Sequence, residues 1–488
     1  MPGTLIARRF LPHARDAVRT DVRIAYGDRV EEIGSAGNQP ADADTLVLPP
    51  FCNAHDHGRG LKTLAYGVSD TAVEAWVPGT YTLPPIDPYL IAAASFARMA
   101  RAGIGSVVHC HLGRDPAGLV REAAAVRRAA DDVGIRVAFV MPLRDRFRLA
   151  YGAEEKLFDY LAPADAEAVR SHWLRPIAPI AVQLAAAQEV AATCEGPLFE
   201  VQLGPTGVER CSDAMLRAVA ALSHRSGRRM HMHFLESKYQ RQWVDKEYPG
   251  GVVEHLRGLG MLSPRLTIGH GTWLRPQECA ILAAHGVTVS INTSSNLRLK
   301  SGVAPVAEIR RAGMKFALGL DALALDDDDD MAREMRLARL LHQGHGFDEA
   351  VSGEEFLVAA TDAGAKVASP DPGAGRIAAG GPADFLELDF GAMSADLIDG
   401  LYEPLDVVRS RASARFVRRL VVAGRTVVEG GKALGIDEPA IGRALHAELE
   451  GHAPALRVLR PVLARYQAAI GRYFLDGCHL AAGGDAAQ

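Results

Sequence analysis

Thiols are scarce in this chain: its six cysteines, Cys52, Cys110, Cys194, Cys211, Cys279 and Cys478, form no CxxC pair. That excludes a disulfide framework and a thiolate zinc knuckle, so any metal site must be built from histidine and carboxylate. Cationic surplus is lacking too. A formal net charge of −5 and a pI near 6.4 leave no basic stripe to neutralise phosphates, and nucleic acid is not an expected partner. No apolar run approaches the length needed to cross a bilayer, and the start, MPGTLIARRFLPHARDAV, has no apolar signal core. The expected setting is cytoplasmic, without a membrane partner. Neither HExxH nor HxxEH occurs, which removes a zinc-peptidase reading. What is present in abundance is core material. With 488 residues, 48% of them hydrophobic and 23% charged, the chain is long enough for one large domain and something smaller.

Short apolar runs alternate with helical patterns from about residue 45 to 365. The strand-like runs end in FCNAHDH, SVVHCHL, RVAFVMPLR, LFEVQLG, MHMHFL, LTIGHG, VTVSINT and KFALGLD. Between them lie segments with apolar residues at helical spacing and glycine at the C-terminal end. Such an alternation, repeated about eight times, predicts a (β/α)8 TIM-like barrel over 49–372, with its chemistry at the C-terminal strand ends. Segments 1–48 and 373–435 alternate like strands with Gly-rich turns, and predict a small β-sandwich domain built from both termini. Residues 436–488 read as C-terminal helices packing on the barrel. The aspartate run Asp326 to Asp330 reads as a helix cap and acidic first turn.

In a strand, residues i and i+2 share a face, so His55 and His57 can both look into the barrel mouth. The fifth strand adds His233 near its end and Glu236 in the loop after it. His270 ends the sixth strand and Asp321 the eighth. Ligand-type or proton-transfer side chains thus recur at one end of the barrel. Imidazoles with a carboxylate suit one divalent ion, Zn²⁺ first and Fe²⁺ as the alternative, and a water in the open position becomes a nucleophile near neutral pH.

The order HxH, HxxE, H, D resembles the amidohydrolase superfamily, in its branch of cytosine-deaminase-like, atrazine-chlorohydrolase-like and guanine-deaminase-like hydrolases. LGPTGVERCSD after the fourth strand and SSNLRLKSGVAPV (Ser294 to Val306) are similar to that branch's Gly-Pro…Thr-Cys-Ser and Ser-Asn-Leu-Lys-Leu patterns. The resemblance implies His55, His57, His233 and Asp321 as metal ligands, Glu236 as proton shuttle, and His270 as partner of substrate or water, so that Glu236, His270 and Asp321 form the catalytic set. It implies an aminohydrolase that removes an exocyclic amino group, as ammonia, from a purine, pterin, pyrimidine or triazine-like ring. The alternative is the same chemistry on a cyclic amide, an N-alkylamine or a carbon–halogen bond. Analogy with the branch suggests a dimer or tetramer. Two-metal members bridge their ions with a carboxylated lysine or a glutamate from a middle strand. Here the fourth strand lacks lysine and its Glu200 sits early, which favours one ion.

Other residues divide between substrate contact and packing. Gln202 and Asn296 are natural amide contacts to a ring edge, and Arg144 and Arg146 (with Arg148) could grip a carboxylate or a carbonyl-rich ring. Trp76 and Trp243 could wall the pocket or pack. His111 could reach the pocket. His231 reads as a hydrogen-bonded core histidine. Arg59, in the compact HDHGRGL turn, could orient a substrate or brace the loop. Asp56 and Thr206 depart from the branch's usual residues, which leaves the ring open.

Overall fold

The computed structural model describes residues 3–41, 43–113 and 118–481. Its central feature is a parallel eight-stranded sheet in sequence order. The strands are Phe51–Asp56, Ile104–Cys110, Arg136–Leu143, Phe199–Pro205, Met230–Phe234, Leu266–His270, Thr288–Ile291 and Lys315–Leu318. They are buried along most of their length, as in Ile104–Cys110, where every residue is buried, because helices cover the outside and side chains fill the inside.

The helices follow from their apolar spacing. Leu119–Val133 buries Leu119, Ala123, Val126, Ala130 and Val133, and stops at Gly134, whose φ of 95° suits the left-handed cap that donates to the Ala130 carbonyl. Asp213–Ser226 begins where the Ser212 hydroxyl accepts from the Met215 N–H.

The first and eighth strands close the barrel through single bonds. The Asp321 N–H donates to the His55 carbonyl at 2.8 Å, and the Leu320 N–H to Asn53 Oδ1 at 2.9 Å. Asp56, an oddity in sequence, belongs to this seam: its carboxylate accepts from the Ala322 N–H at 2.8 Å and the Gly58 N–H at 2.7 Å.

A second eight-stranded sheet draws on both ends of the chain. Thr45–Leu48 pairs antiparallel with Phe385–Asp389, Leu48 opposite Leu386. The sheet wraps a separate core including Phe10, Ile24, Val47, Phe385 and Val421, which is the expected sandwich. Near the C-terminus, Glu438–Gly451 and Ala453–Leu475 are helical. The second of them reaches Val73–Thr80 through Gln467, whose amide donates to the Ala75 carbonyl at 2.9 Å. No described helix is long and apolar enough to cross a membrane.

The aspartate run does more than cap. Asp330 accepts from the Ala332 and Arg333 N–H groups at the start of Met331–His342, while buried Asp329 pairs with Lys62 at 2.5 Å and Arg98 at 2.6 Å.

Candidate metal centre

Four strand ends bring their side chains to one point. His57 Nε2 lies 3.2 Å from Asp321 Oδ1, His55 Nε2 lies 3.4 Å from the same oxygen, and His57 Nε2 lies 3.3 Å from His233 Nε2. Ligands held about 2.0–2.1 Å from a tetrahedral ion stand roughly 3.3 Å apart. The spacing fits the group. His55 Nε2 is also buried without a hydrogen-bond partner, a cost that an ion at this point removes. His55, His57, His233 and Asp321 therefore suit one divalent ion, and His270 Nε2, likewise buried and unpartnered, completes a group with His55 and Asp321 whose donor atoms lie within 4.8 Å of one another.

Three of the imidazoles, those of His57, His55 and His270, are aimed from behind. His57 Nδ1 meets the Cys110 carbonyl at 2.8 Å, His55 Nδ1 meets His231 Nε2 at 2.7 Å, and His270 Nδ1 meets Asn296 Oδ1 at 3.0 Å. Such partners fix the tautomer that leaves Nε2 free for an ion. The backbone contributes as well. His270 (φ 70°) and Asp321 (φ 54°) adopt the left-handed region, rare for side-chain-bearing residues and concentrated at functional positions. A Cβ on Gly319 would come within 2.8 Å of the His55 Cβ and 2.4 Å of Asn292 Oδ1, so only glycine lets the eighth strand pass this close.

Electrostatics prepare the same site. Burial pulls His55 down to about 4 and His233 well below its ordinary range, so both are neutral and able to ligate. Burial pushes Asp321 up, but the surrounding imidazoles of His55, His57 and His270 outweigh it and hold the carboxyl well below its usual value. Glu236 goes the other way, raised by burial to about 7. Its Oε2 lies 3.8 Å from His270 Nε2, and the Ser301 hydroxyl donates to its Oε1 at 3.3 Å.

Above these residues lies a cavity of about 1270 Å³, its open mouth included, walled by Trp76, Tyr81, Tyr151 and Phe474. A second, apolar lobe lined by Leu112, Leu119, Val140 and Ile177 shares His57 and His233 with it. Trp76 and Arg144 line the first lobe; Arg144 and His111 line the second, where His111 Nε2 is held by Glu122 at 2.7 Å.

Three expected contacts lie elsewhere. Gln202 faces away from the cavity, donating its amide to the Val367 carbonyl at 3.0 Å, because residue 202 sits too deep in its strand to reach the mouth. Asn296 is taken up by His270 and orients that ring. Arg146 lies over Phe147 and Trp243, at 4.9 and 5.7 Å from the ring centres, and pairs with Glu247 at 3.6 Å in a separate hollow. Trp243 packs edge-on to Phe147 and Tyr151. His231 is the expected core histidine, hydrogen-bonded to His55. Glu200 is bound to Arg229, whose Nε donates to it at 2.9 Å, so it is not free to bridge two ions.

Two carboxylates on the cavity wall escaped the sequence reading, Glu74 and Glu209. Burial raises both, and Glu74 accepts from the Tyr151 hydroxyl at 3.0 Å and from Ser237. Glu74 belongs to no recognisable motif, a lone acid within apolar VEAWVPG being its only sign, whereas Glu209 lies inside the LGPTGVERCSD segment without being singled out there.

The chain matches the model of the amidohydrolase family over residues 46–427. It is 31% identical over 448 residues to the 5'-deoxyadenosine deaminase of Methanopyrus kandleri, covering 89% of this chain and 94% of that one. It is 26% identical over 438 residues to the 5-methylthioadenosine/S-adenosylhomocysteine deaminase of Nitratidesulfovibrio vulgaris, covering 87% of this chain and 90% of that one. Among solved structures, an adenosine deaminase from Xanthomonas campestris with bound zinc superposes with a TM-score of 0.75 at 21% identity, over 93% of this chain and 98% of that one. Guanine deaminase from C. acetobutylicum with bound guanine gives 0.70 at 15% identity, over 88% and 100%. This chain belongs to the amidohydrolase family.

Proposed function

We propose that this amidohydrolase is a metal-dependent deaminase that releases ammonia from an amino-substituted nitrogen heterocycle, with Zn²⁺ as its ion. The observation that carries the reading is the meeting of His55, His57, His233 and an ionised Asp321 with a Glu236 raised to about 7 on the floor of one aromatic-walled cavity. The deaminase relatives support it, and their names favour a purine-type ring. Six unpaired cysteines support a cytoplasmic setting.

His55, His57, His233 and Asp321 would hold the ion, which supplies Lewis acidity that makes water reactive near neutral pH. The remaining chemistry is proton traffic. Asp321, held ionised, accepts a proton on its carboxylate, and the Ser295 hydroxyl, donating to Oδ2 at 2.5 Å, fixes which oxygen faces the ligands. Glu236, titrating near neutrality, can take that proton from Asp321 and deliver it to a ring nitrogen; the second water proton, passed along the same two carboxylates, goes to the departing amine. His270, held by Asn296, presents Nε2 to the reacting carbon's side of the cavity. The aromatic walls exclude water and stack a flat ring.

The test is ammonia release from amino-purines, pterins, pyrimidines and triazines, assayed with the zinc-loaded protein and with Glu236→Gln. Release confined to the wild type identifies the ring class. Silence across the panel with metal bound overturns the deaminase and turns the search to the amide, N-alkylamine or halogen bond.

A further inference from the structure

Arg59 is the one cation of its turn whose charge finds no carboxylate among the described residues. Its neighbours are satisfied: Lys62 and Arg98 both bind Asp329, at 2.5 and 2.6 Å. The turn is braced by Arg98, which donates to the Arg59 carbonyl at 2.7 Å, and by Asp56, which accepts from the Gly58 N–H at 2.7 Å. The Arg59 head takes no part in that bracing. It is only 8% exposed, its Nε has no hydrogen-bond partner, and its sole described contact is the face of Trp76, 5.0 Å from the ring centre.

A guanidinium keeps its charge in any protein, and burying one unpaired is costly. Stacking on a tryptophan offsets part of that cost and also fixes the plane of the fork. The fork then has one open direction, the cavity, which Arg59 lines together with His57, Trp76 and Asp321. Arg144 lines the same cavity and likewise pairs with no carboxylate among the described residues, and of the carboxylates there, Glu74, Glu209, Glu236 and Asp321, none is paired with Arg59.

We propose that Arg59 anchors an anionic, oxygen-bearing edge of the substrate, so that this enzyme prefers heterocycles carrying a carboxylate or an acidic ring oxygen over neutral rings. A planar pair of oxygens matches the guanidinium fork bidentately, and a ring without them leaves the buried charge unanswered. The inference rests on the cavity being the substrate site, and not on which bond is cut there. It sets this enzyme apart from relatives named for 5'-deoxyadenosine, which carries neither a carboxylate nor an acidic ring oxygen.

Binding to the zinc-loaded protein tests it, with orotate (ring oxygens and a carboxylate), cyanurate (acidic ring oxygens alone) and neutral uracil as probes, read by calorimetry. The wild type should bind orotate, cyanurate or both at least tenfold more tightly than uracil. Preference for cyanurate alone assigns the acidic ring oxygens, preference for orotate alone the carboxylate, and preference for both the anionic charge that they share. Arg59→Met should abolish the preference while leaving uracil affinity and metal content unchanged, and the ligand-free variant should melt at the same temperature or higher, since an unpaired buried charge has gone. Preference that survives in Arg59→Met, or equal binding of all three probes by the wild type, overturns the proposal. Should Arg59→Met not fold, Arg59→Lys decides: its single-nitrogen head should weaken the anion preference with uracil unaffected, and an unchanged preference overturns the assignment. Arg59-dependent anion binding without ammonia release from any ring would remove the deaminase and leave the anchor standing.

Discussion

His231 Nε2 lies 2.7 Å from His55 Nδ1, so one buried imidazole accepts a hydrogen bond from another and fixes it in the form that can ligate through Nε2. Because His231 accepts there, its own proton sits on Nδ1, which has no partner. Loss of the acceptor should cost about 10- to 100-fold in metal affinity. Chelator competition on His231→Phe should show that loss, and His231→Gln, which keeps an acceptor, should recover part of it. Equal affinities in all three proteins would reduce His231 to packing.

Glu236→Gln removes the proton carrier without touching the ligands. Turnover should drop by orders of magnitude while metal content, measured by atomic emission, stays at the wild-type level. The wild-type rate should rise with pH as Glu236 ionises: its carboxyl is lifted to about 7 by burial, and a bound cation moves that limb lower. A limb that persists in Glu236→Gln belongs to another group.

Asp321→Ala should fail to retain the ion, because the carboxylate within 3.4 Å of both His55 and His57 is gone. The wild type should hold one ion per chain. Two ions at full occupancy would contradict a centre whose nearest candidate bridge, Glu200, is engaged by Arg229.

Glu334 offers a stability test away from the ligands. It is buried and raised to about 7, and it accepts from the Ser294 N–H at 3.0 Å and the Ser294 hydroxyl at 2.6 Å. A folded value above the unfolded one means that folding favours the protonated form. That contribution is complete below about 4.5 and is lost as pH climbs through about 7, on the order of 3 kcal/mol at most. Urea unfolding at acid and neutral pH should therefore show a smaller difference for Glu334→Gln than for the wild type. Parallel behaviour would show that Glu334 titrates normally.

The barrel and the clustering of His55, His57, His233 and Asp321 were legible because both obey short-range rules: period-2 alternation puts His55 and His57 on one face, and chemistry gathers at strand ends. What failed was long-range. The amide of Gln202 is taken by Val367, a partner 165 residues on, and Asn296 by His270; no spacing rule foretells which distant group claims a buried amide. Arg146 was assigned by its nearness to Arg144 in sequence, yet the two side chains leave the loop in different directions. Glu74 carries no motif, and it reaches the cavity only because the C-terminal helix seats Val73–Thr80 over the mouth.

The seam between the first and eighth strands has a bearing on synthesis. His55 and Asp321 are joined there, backbone to backbone, and Asp56 and Ala322, 266 residues apart, meet beside them. A ribosome must therefore release nearly two-thirds of the polypeptide before the proposed ligand set is complete, and a nascent or truncated chain ending short of Asp321 lacks one of its four members. Under the proposed assignment, metal capture would be a late event in the life of the chain, one that reports that the barrel has shut.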